Sequence, residues 1–250
     1  MDTLHDNWVF MLIPVVVTIV GGLIAASFTL APEIRSSVQH FTAGVVFAAI
    51  AGEVIPDVID RHAPAATIIG FVVGVALMFS ISRVSDALLP ESEHANRNVA
   101  GPGTRRRFPA SLIAAVSIDG LIDGLVIGIG FTVGATLGTL VTVALSLEMF
   151  FLGLSTAATL RQTGWRPGLA IVVTTTAAFM IAVGALLGVT AFGHLSNAGL
   201  AGLLAFGCAS LLYLVTEELL TEAHSVPETR LMSSLFFAGF LTLLVIEMSL

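Results

Sequence analysis

The chain has 250 residues, of which 56% are hydrophobic and 11% charged, and its mean hydropathy is +0.99. Soluble globular domains carry about 25% charged residues, so the composition excludes an ordinary soluble protein and indicates an all-α integral membrane protein. A net charge of −7 argues against nucleic acid as a partner, and the single cysteine, Cys208, excludes an intramolecular disulfide and any multi-thiolate site.

Eight apolar segments are each long enough to cross a bilayer, which takes about 20 mostly apolar residues. The predicted spans are 8–31, 40–59, 65–87, 109–131, 136–160, 167–191, 197–220 and 230–249. The first follows acidic residues and is too long for the apolar part of a signal peptide, so we expect it to be retained. Prolines, glycines and three consecutive arginines in 88–108 predict a polar, mobile cytoplasmic loop. The other connections are short, so residues 1–250 are predicted to form one transmembrane domain.

All ten basic residues are arginines, and their distribution predicts the orientation. If both termini are outside, Arg61 is the one arginine on the outer side. The other nine lie on the inner side: Arg35, Arg83, Arg97, Arg105, Arg106, Arg107, Arg161, Arg166 and Arg230. Because positive residues favour the cytoplasmic side, we predict a multi-pass protein of the inner or plasma membrane with both termini extracytoplasmic.

The first three predicted spans resemble the last three. Span 2 ends with Glu53 and Asp57, and span 7 ends with Glu218 and Glu222, four residues apart in both cases. A glycine–phenylalanine pair occurs at a similar offset in spans 3 and 8. Since the first triplet begins outside and the second inside, this pattern predicts inverted repeats in a 3+2+3 arrangement, which is common in secondary transporters.

Spans 4 and 5, between the triplets, hold acidic residues at mid-membrane depth. Asp119 and Asp123 are four residues apart and therefore share a helix face. Inserting an ionised Asp near the bilayer centre costs a free energy of roughly 2.5–3.5 kcal/mol. A purely structural role would not explain why two such residues are present here. Glu148 falls near the middle of span 5, and the short connection makes the two spans antiparallel neighbours. We expect the three carboxylates to converge on a site for a divalent cation.

Span 7 carries two adjacent acids, Glu217 and Glu218, which point in different directions on an α-helix, so only one can face the cluster. Glu218 is preferred because Glu222 follows it by four residues. Glu222 and His224 lie near the inner boundary, where they form either an exit relay or a solvated helix end. His40, at the inner start of span 2, is expected to be a surface residue.

Glu53 and Asp57 lie at the outer end of span 2. They form either an acidic entrance that concentrates cations or an ordinary membrane-interface cluster. The sequence leaves these two interpretations open.

The motifs resemble those of the ZIP (Zrt/Irt-like) family of metal-ion transporters, over nearly the whole chain. The family's span 4 motif, His-Asn-x-Pro-Glu/Asp-Gly, maps onto Asp119–Gly124, and its span 5 motif, His/Gln-Glu-x-Pro-Glu-Gly, maps onto Glu148–Gly153. Its span 7 motif, Glu-x-x-Pro-Glu-x-His, maps onto Glu218–His224. The resemblance implies eight spans, extracytoplasmic termini and a variable loop between spans 3 and 4.

The chain departs from the family's pattern at several of these positions. Asp119 and Glu148 stand where the family has histidine, and the motif prolines are replaced by Ile122, Phe151 and Thr221. In the family these positions build a two-metal site. The residues that remain here imply one metal ion, and the loss of imidazoles shifts the expected preference toward harder ions.

We therefore predict a transporter, not an enzyme, that carries a divalent metal ion (zinc, manganese, iron or cadmium) into the cytoplasm and uses no cofactor. The predicted metal ligands are Asp119, Asp123, Glu148 and Glu218, and the predicted pathway residues are Glu53, Asp57, Glu217, Glu222 and His224. The expected partners are the metal ion and the lipid bilayer; the oligomeric state stays open, with a homodimer as one option. Two alternatives also stay open: transport of a non-metal cation or solute with the acids as proton relays, and a transport-inactive ZIP-like sensor. An aspartyl protease is disfavoured because Asp119 and Asp123 share one helix.

Overall fold

Eight long helices account for most of the part of the chain that the computed structural model describes, which is residues 2–27, 31–88, 110–162, 164–192, 195–227 and 229–249. The helices are α1 (Asp2–Ser27), α2 (Pro32–Asp60), α3 (Pro64–Leu88), α4 (Ala110–Val133), α5 (Ala135–Gln162), α6 (Pro167–Phe192), α7 (Asn197–Ala223) and α8 (Arg230–Glu247). No strand occurs within these ranges. The loop predicted at 88–108 lies outside the described residues, apart from Leu88.

Length and apolar composition explain why these segments are membrane helices. Seven of the described helices, α2 to α8, are long and apolar enough to cross a bilayer, and α1 is apolar over Leu12–Ser27. The prediction of an all-helical membrane protein is therefore confirmed. The predicted start of span 2 at residue 40 is too late, because α2 begins at Pro32. Proline is favoured at the first helical position, and Glu33 follows it in the positively polarised first turn.

The helices pack as two bundles of four. One bundle holds α1, α4, α5 and α6, with extensive contacts between α4 and α6 and between α1 and α5. The other holds α2, α3, α7 and α8, in which α2 packs on α8 and α3 packs on α7. Contacts between helices of different bundles are much sparser. Each bundle is thus a packing unit of its own.

Glycines allow the closest helix contacts inside each bundle. A Cβ added to Gly124 of α4 would overlap the backbone carbonyl of Ile181 on α6, and one added to Gly153 of α5 would overlap that of Thr18. In the second bundle, Gly44 of α2 lies in the same way against Phe236 of α8. Small residues let transmembrane helices approach to backbone contact, which is the main source of packing energy in lipid.

Two helices widen into a π-helical turn at related positions. In α2 the π turn is Ile50–Val54, which contains Glu53, and in α7 it is Leu214–Leu219, which contains Glu217 and Glu218. Pro56 follows the first π turn and has no N–H to donate, which disrupts the regular pattern there. Thr221, at the position of the family's motif proline, donates its hydroxyl to the Thr216 carbonyl five residues earlier (3.4 Å). Such turns often occur at functional sites.

Contacts at the helix ends show which ends lie together. Arg35, at the start of α2, forms an ion pair with Glu222 at the end of α7. Arg161, at the end of α5, donates to the Ala25 carbonyl at the end of α1 (3.3 Å). At the opposite end of the molecule, Arg61 donates to Asn197 at the start of α7 (3.2 Å). Arg61 is therefore separated from Arg35 and Arg161, as the predicted topology requires.

Candidate metal centre

Three carboxylates come together where α4 and α5 pack against each other. Asp119, Asp123 and Glu148 each offer an oxygen, and these oxygens all lie within 4.8 Å of one another. Asp123 is the fourteenth of the 24 residues in α4, and Glu148 is the fourteenth of the 28 in α5. The four-residue spacing places Asp119 one turn from Asp123 on the same face. The expected convergence of the three acids is therefore present in the structure, halfway along both helices.

Two of these acids, Asp123 and Glu148, are buried without the partners that a buried carboxylate normally has. Asp123 is 5% exposed and Glu148 is 3% exposed. The Asp123 Oδ2 and Glu148 Oε2 atoms accept no hydrogen bond from any described residue, and neither acid takes part in the ion pairs found within the described ranges. Burying an ionised group without a partner is costly, so the cluster favours binding of a positive charge.

A cavity of about 290 Å³ opens beside the cluster, between the two bundles. Asp119 and Leu152 contribute its wall from the first bundle, and Tyr213, Glu217 and Glu218 contribute from the second. Ser82 and Val116 also line it, near the ends of α3 and α4 where the predicted cytoplasmic loop connects them. The cavity thus extends from the carboxylates toward the end of the molecule that holds Arg35 and Arg161.

The π turn of α7 places both of its acids on this cavity. Glu218 lies within electrostatic reach of Asp119 and Asp123, across the boundary between the bundles. Glu217 lines the same cavity. The expectation that adjacent acids point apart assumed a regular α-helix, and the wider π turn relaxes that restriction. Glu218 remains the acid of α7 that interacts with the cluster.

Glu222 lies away from the cluster and is held by neighbours. It pairs with Arg35, accepts a hydrogen bond from Gln39 Nε2, and accepts another from Ser155 Oγ of α5 (3.3 Å). The Ser155 contact joins the two bundles. His224 lies beside His40, with ring centroids 5.2 Å apart. The structure therefore gives Glu222 a bracing role, and His40 is buried, contrary to the expectation of a surface residue.

Two acids, Asp57 and Glu53, lie toward the Asp60 end of α2, and they have different neighbours. Asp57 forms an ion pair with Arg61 (3.3 Å), which supports an ordinary interfacial role for Asp57. Glu53 lies in the π turn, within electrostatic reach of Glu247. The Glu247 carboxylate lies against Gly52, where a side chain would displace it. Sequence reasoning did not connect Glu247 with Glu53, because the two acids lie far apart in the chain and meet only through the packing of α8 on α2.

The donor set limits what the centre can bind. Three carboxylates provide only oxygen ligands and a formal charge that exceeds that of one divalent ion. Oxygen donors suit Mg²⁺, Ca²⁺ and Mn²⁺, while Zn²⁺ accepts carboxylates but usually has His or Cys among its ligands. Two helices that cross at a buried acid cluster next to a cavity can bind a cation and let it leave in a defined direction.

Comparison with known proteins gives one family match. Residues 90–247 match the sequence profile of the family described as ZIP Zinc transporter. The match covers more than half of the chain, including α4 to α8 and all three acids of the cluster. No curated protein sequence matches the chain.

Proposed function

The chain belongs to the ZIP zinc transporter family, and we propose that it imports a divalent metal ion into the cytoplasm through the cluster of Asp119, Asp123 and Glu148. ZIP proteins are membrane transporters of divalent metal ions and not enzymes. Family membership therefore identifies this chain as a transporter of a divalent metal ion. The route, the direction and the choice of metal are our proposals.

One observation carries the proposed site: two buried carboxylates, Asp123 and Glu148, converge with an oxygen each that accepts no hydrogen bond from a described residue. A bound divalent ion would supply the positive charge that both lack. The two helices bring these acids together at mid-helix depth. We propose one ion per chain, since Asp119 and Glu148 occupy positions at which the family has histidine.

The cavity supports a direction for release. It reaches from Asp119 and Glu218 toward the end that holds Arg35 and Arg161. Positively charged ends favour the cytoplasm, so we place this end inside and both termini outside, in the inner or plasma membrane. Glu218 then receives the ion from the cluster on its way inward. Glu53, with Glu247 near it, attracts cations at the outer end.

The two bundles suggest how access alternates. The three acids of the cluster lie on α4 and α5 in one bundle, while Glu217 and Glu218 lie on α7 in the other. Glycine contacts make each bundle tight, and the contacts between bundles are sparse. Movement of one bundle against the other would open the cluster to one side at a time. A 3+2+3 inverted repeat relates α1 to α6, α2 to α7, α3 to α8 and α4 to α5. The contact of α1 with α5 then corresponds to that of α6 with α4, and the contact of α2 with α8 to that of α7 with α3. All four contacts are extensive, which supports this arrangement.

Uptake by liposomes that contain the purified protein tests the proposal. Zn²⁺, Mn²⁺, Fe²⁺ and Cd²⁺ are offered separately, under several pH gradients, and at least one is expected to enter faster than into empty vesicles. Asp123→Ala should abolish that uptake, whereas Asp60→Asn, an exposed acid outside the cluster, should leave it unchanged. Absence of uptake for all four ions would contradict the transport function. Uptake that is insensitive to Asp123→Ala would contradict the site.

Calorimetry separates metal transport from the alternative in which the acids relay protons for another cargo. Metal affinity that is lost on Asp119→Asn supports the metal site. A wild-type chain that binds none of the four ions would favour the proton-relay interpretation, or a sensor without transport.

A further inference from the structure

The boundary between the two bundles differs between its α5 side and its α4 side. On the α5 side, Ser155 of α5 donates its hydroxyl to Glu222 Oε1 of α7 (3.3 Å), which is a hydrogen bond from the first bundle to the second. There α5 also packs on α2 more extensively than α4 packs on α3 or on α7. The cavity is lined mainly by α3, α4 and α7. The boundary is therefore fastened on the α5 side and open on the α4 side.

The Glu222 carboxylate is held in place by its own bundle. Arg35 of α2 forms an ion pair with Oε1, the oxygen that accepts from Ser155, and the Gln39 side-chain amide donates to Oε2. Gln39 is 2% exposed, so the surrounding helices restrict its amide. Hydrogen bonds to a charged acceptor are stronger than those between neutral groups. The second bundle thus presents a fixed, charged acceptor to the hydroxyl of Ser155.

This hydrogen bond lies beyond the cavity, toward the end of the molecule that holds Arg35 and Arg161. Ser155 comes three residues after Leu152, and Glu222 comes four residues after Glu218; Leu152 and Glu218 both line the cavity. At 1.5 Å per residue, both partners lie roughly 4.5–6 Å further along their helices. A wide separation of the bundles at this inner end would have to break the hydrogen bond.

We infer that the hydrogen bond from Ser155 to Glu222 is a latch, which keeps the inner ends of the two bundles joined on the α5 side and limits how far they separate. The α4 side, where the cavity lies, is then the side on which the boundary widens. The latch itself depends only on the contacts around Glu222. Its consequence for release, that a looser latch keeps the inner ends apart for longer, rests on the proposed function.

Double electron–electron resonance on the full chain measures the separation of the inner ends. Spin labels on Gly168→Cys in α6 and Leu231→Cys in α8, in a Cys208→Ala background, place one label near the inner end of each bundle. Both positions are exposed, and a Cβ at Gly168 has no neighbouring atom within 4 Å. Ser155→Ala should raise the ratio of long to short distances about two- to tenfold, which is the effect of losing one hydrogen bond.

Two matched variants control for the substitution itself. Ser155→Thr keeps the hydroxyl and should retain the wild-type distance distribution. Ser80→Ala removes an exposed hydroxyl of α3 that donates to the Ala76 carbonyl within its own helix (2.6 Å), and it should also leave the distances unchanged. A distribution in Ser155→Ala that matches the wild type would overturn the latch.

A double-mutant cycle tests whether Ser155 acts through Glu222. Glu222→Ala removes the acceptor and should itself shift the distribution toward long distances. Adding Ser155→Ala should then cause no further shift, because the hydroxyl has already lost its partner. Shifts that add in the double variant would show that Ser155 acts by another route and would overturn the inference. The distances are measured without transport, so an absence of metal uptake would contradict the proposed function and not the latch.

Discussion

A carboxylate oxygen of Asp123 on α4 lies within 4.8 Å of a carboxylate oxygen of Glu148 on α5. One oxygen of each residue accepts no hydrogen bond from any described residue. Both helices present these acids halfway along their length. Burial makes an unpaired negative charge expensive, so the pair is stable only when it is protonated or holds a cation. The following predictions depend on that relationship.

Asp123→Asn should remove the stabilisation that metal gives to the fold without harming the metal-free protein. A ligand at 100 times its Kd adds about 2.7 kcal/mol to the free energy of unfolding. We expect the wild type to show a matching rise in Tm with the transported ion and the variant to show none. Thermal unfolding in detergent measures this, with Asp60→Asn as the control that keeps the wild-type response. An equal metal-induced rise in Asp123→Asn would show that the ion binds elsewhere.

Asp119→His should change which metal is preferred. Replacing an oxygen ligand by an imidazole favours Zn²⁺ over Mn²⁺, because nitrogen donors suit the borderline ion better. The ratio of Zn²⁺ to Mn²⁺ uptake in competition should rise relative to the wild type. Asp119→Glu, which keeps an oxygen donor, is the matched control and should not raise it. An unchanged ratio in Asp119→His would mean that Asp119 does not contact the ion.

Lower pH should weaken metal binding at the cluster. Metal ligands must be deprotonated, so protons and the ion compete for the same oxygens and binding releases protons. The metal-free state therefore holds more protons than the metal-bound state, and affinity falls as pH falls. Calorimetry in two buffers of different ionisation enthalpy counts the protons released. Glu148→Gln should release fewer; the same number in both proteins would contradict a role for Glu148.

Gly124→Val should disrupt the packing of α4 on α6. A Cβ at this position would overlap the Ile181 backbone carbonyl, which cannot rotate away as a side chain can. We expect a loss of at least about 1–3 kcal/mol in the free energy of unfolding, as for overpacked cores. Gly134→Ala, between α4 and α5, has no neighbouring atom within 4 Å of its added Cβ and should be tolerated. Equal stability of the two variants would contradict the close α4–α6 contact.

The sequence predicted the helices and the carboxylate cluster because both depend on simple spacing. A run of about 20 apolar residues needs no knowledge of its neighbours to be assigned as a membrane helix. The four-residue spacing of Asp119 and Asp123 fixes a shared face, and the short link to α5 brings Glu148 near them. These features are local, or nearly so.

The features that the sequence did not reveal depend on contacts between distant segments or on departures from the α-helix. Arg35–Gln39 is polar, so hydropathy placed it outside span 2, although contacts with Glu222 and Ala223 hold it within the first turns of α2. His40 was expected at the surface because its partner is 184 residues away. Glu217 and Glu218 lie in a π turn, which has more residues per turn than an α-helix. A prediction based on 3.6 residues per turn therefore assigns these two side chains to the wrong helix faces.

Anomalous scattering from crystals soaked separately in Mn²⁺ and Zn²⁺ tests the central claim most directly. We predict a peak bounded by the carboxylate oxygens of Asp119, Asp123 and Glu148 with at least one of the two metals, and its loss in Asp123→Asn. Ordered crystals that bind metal elsewhere but show no peak among these three acids would contradict the claim.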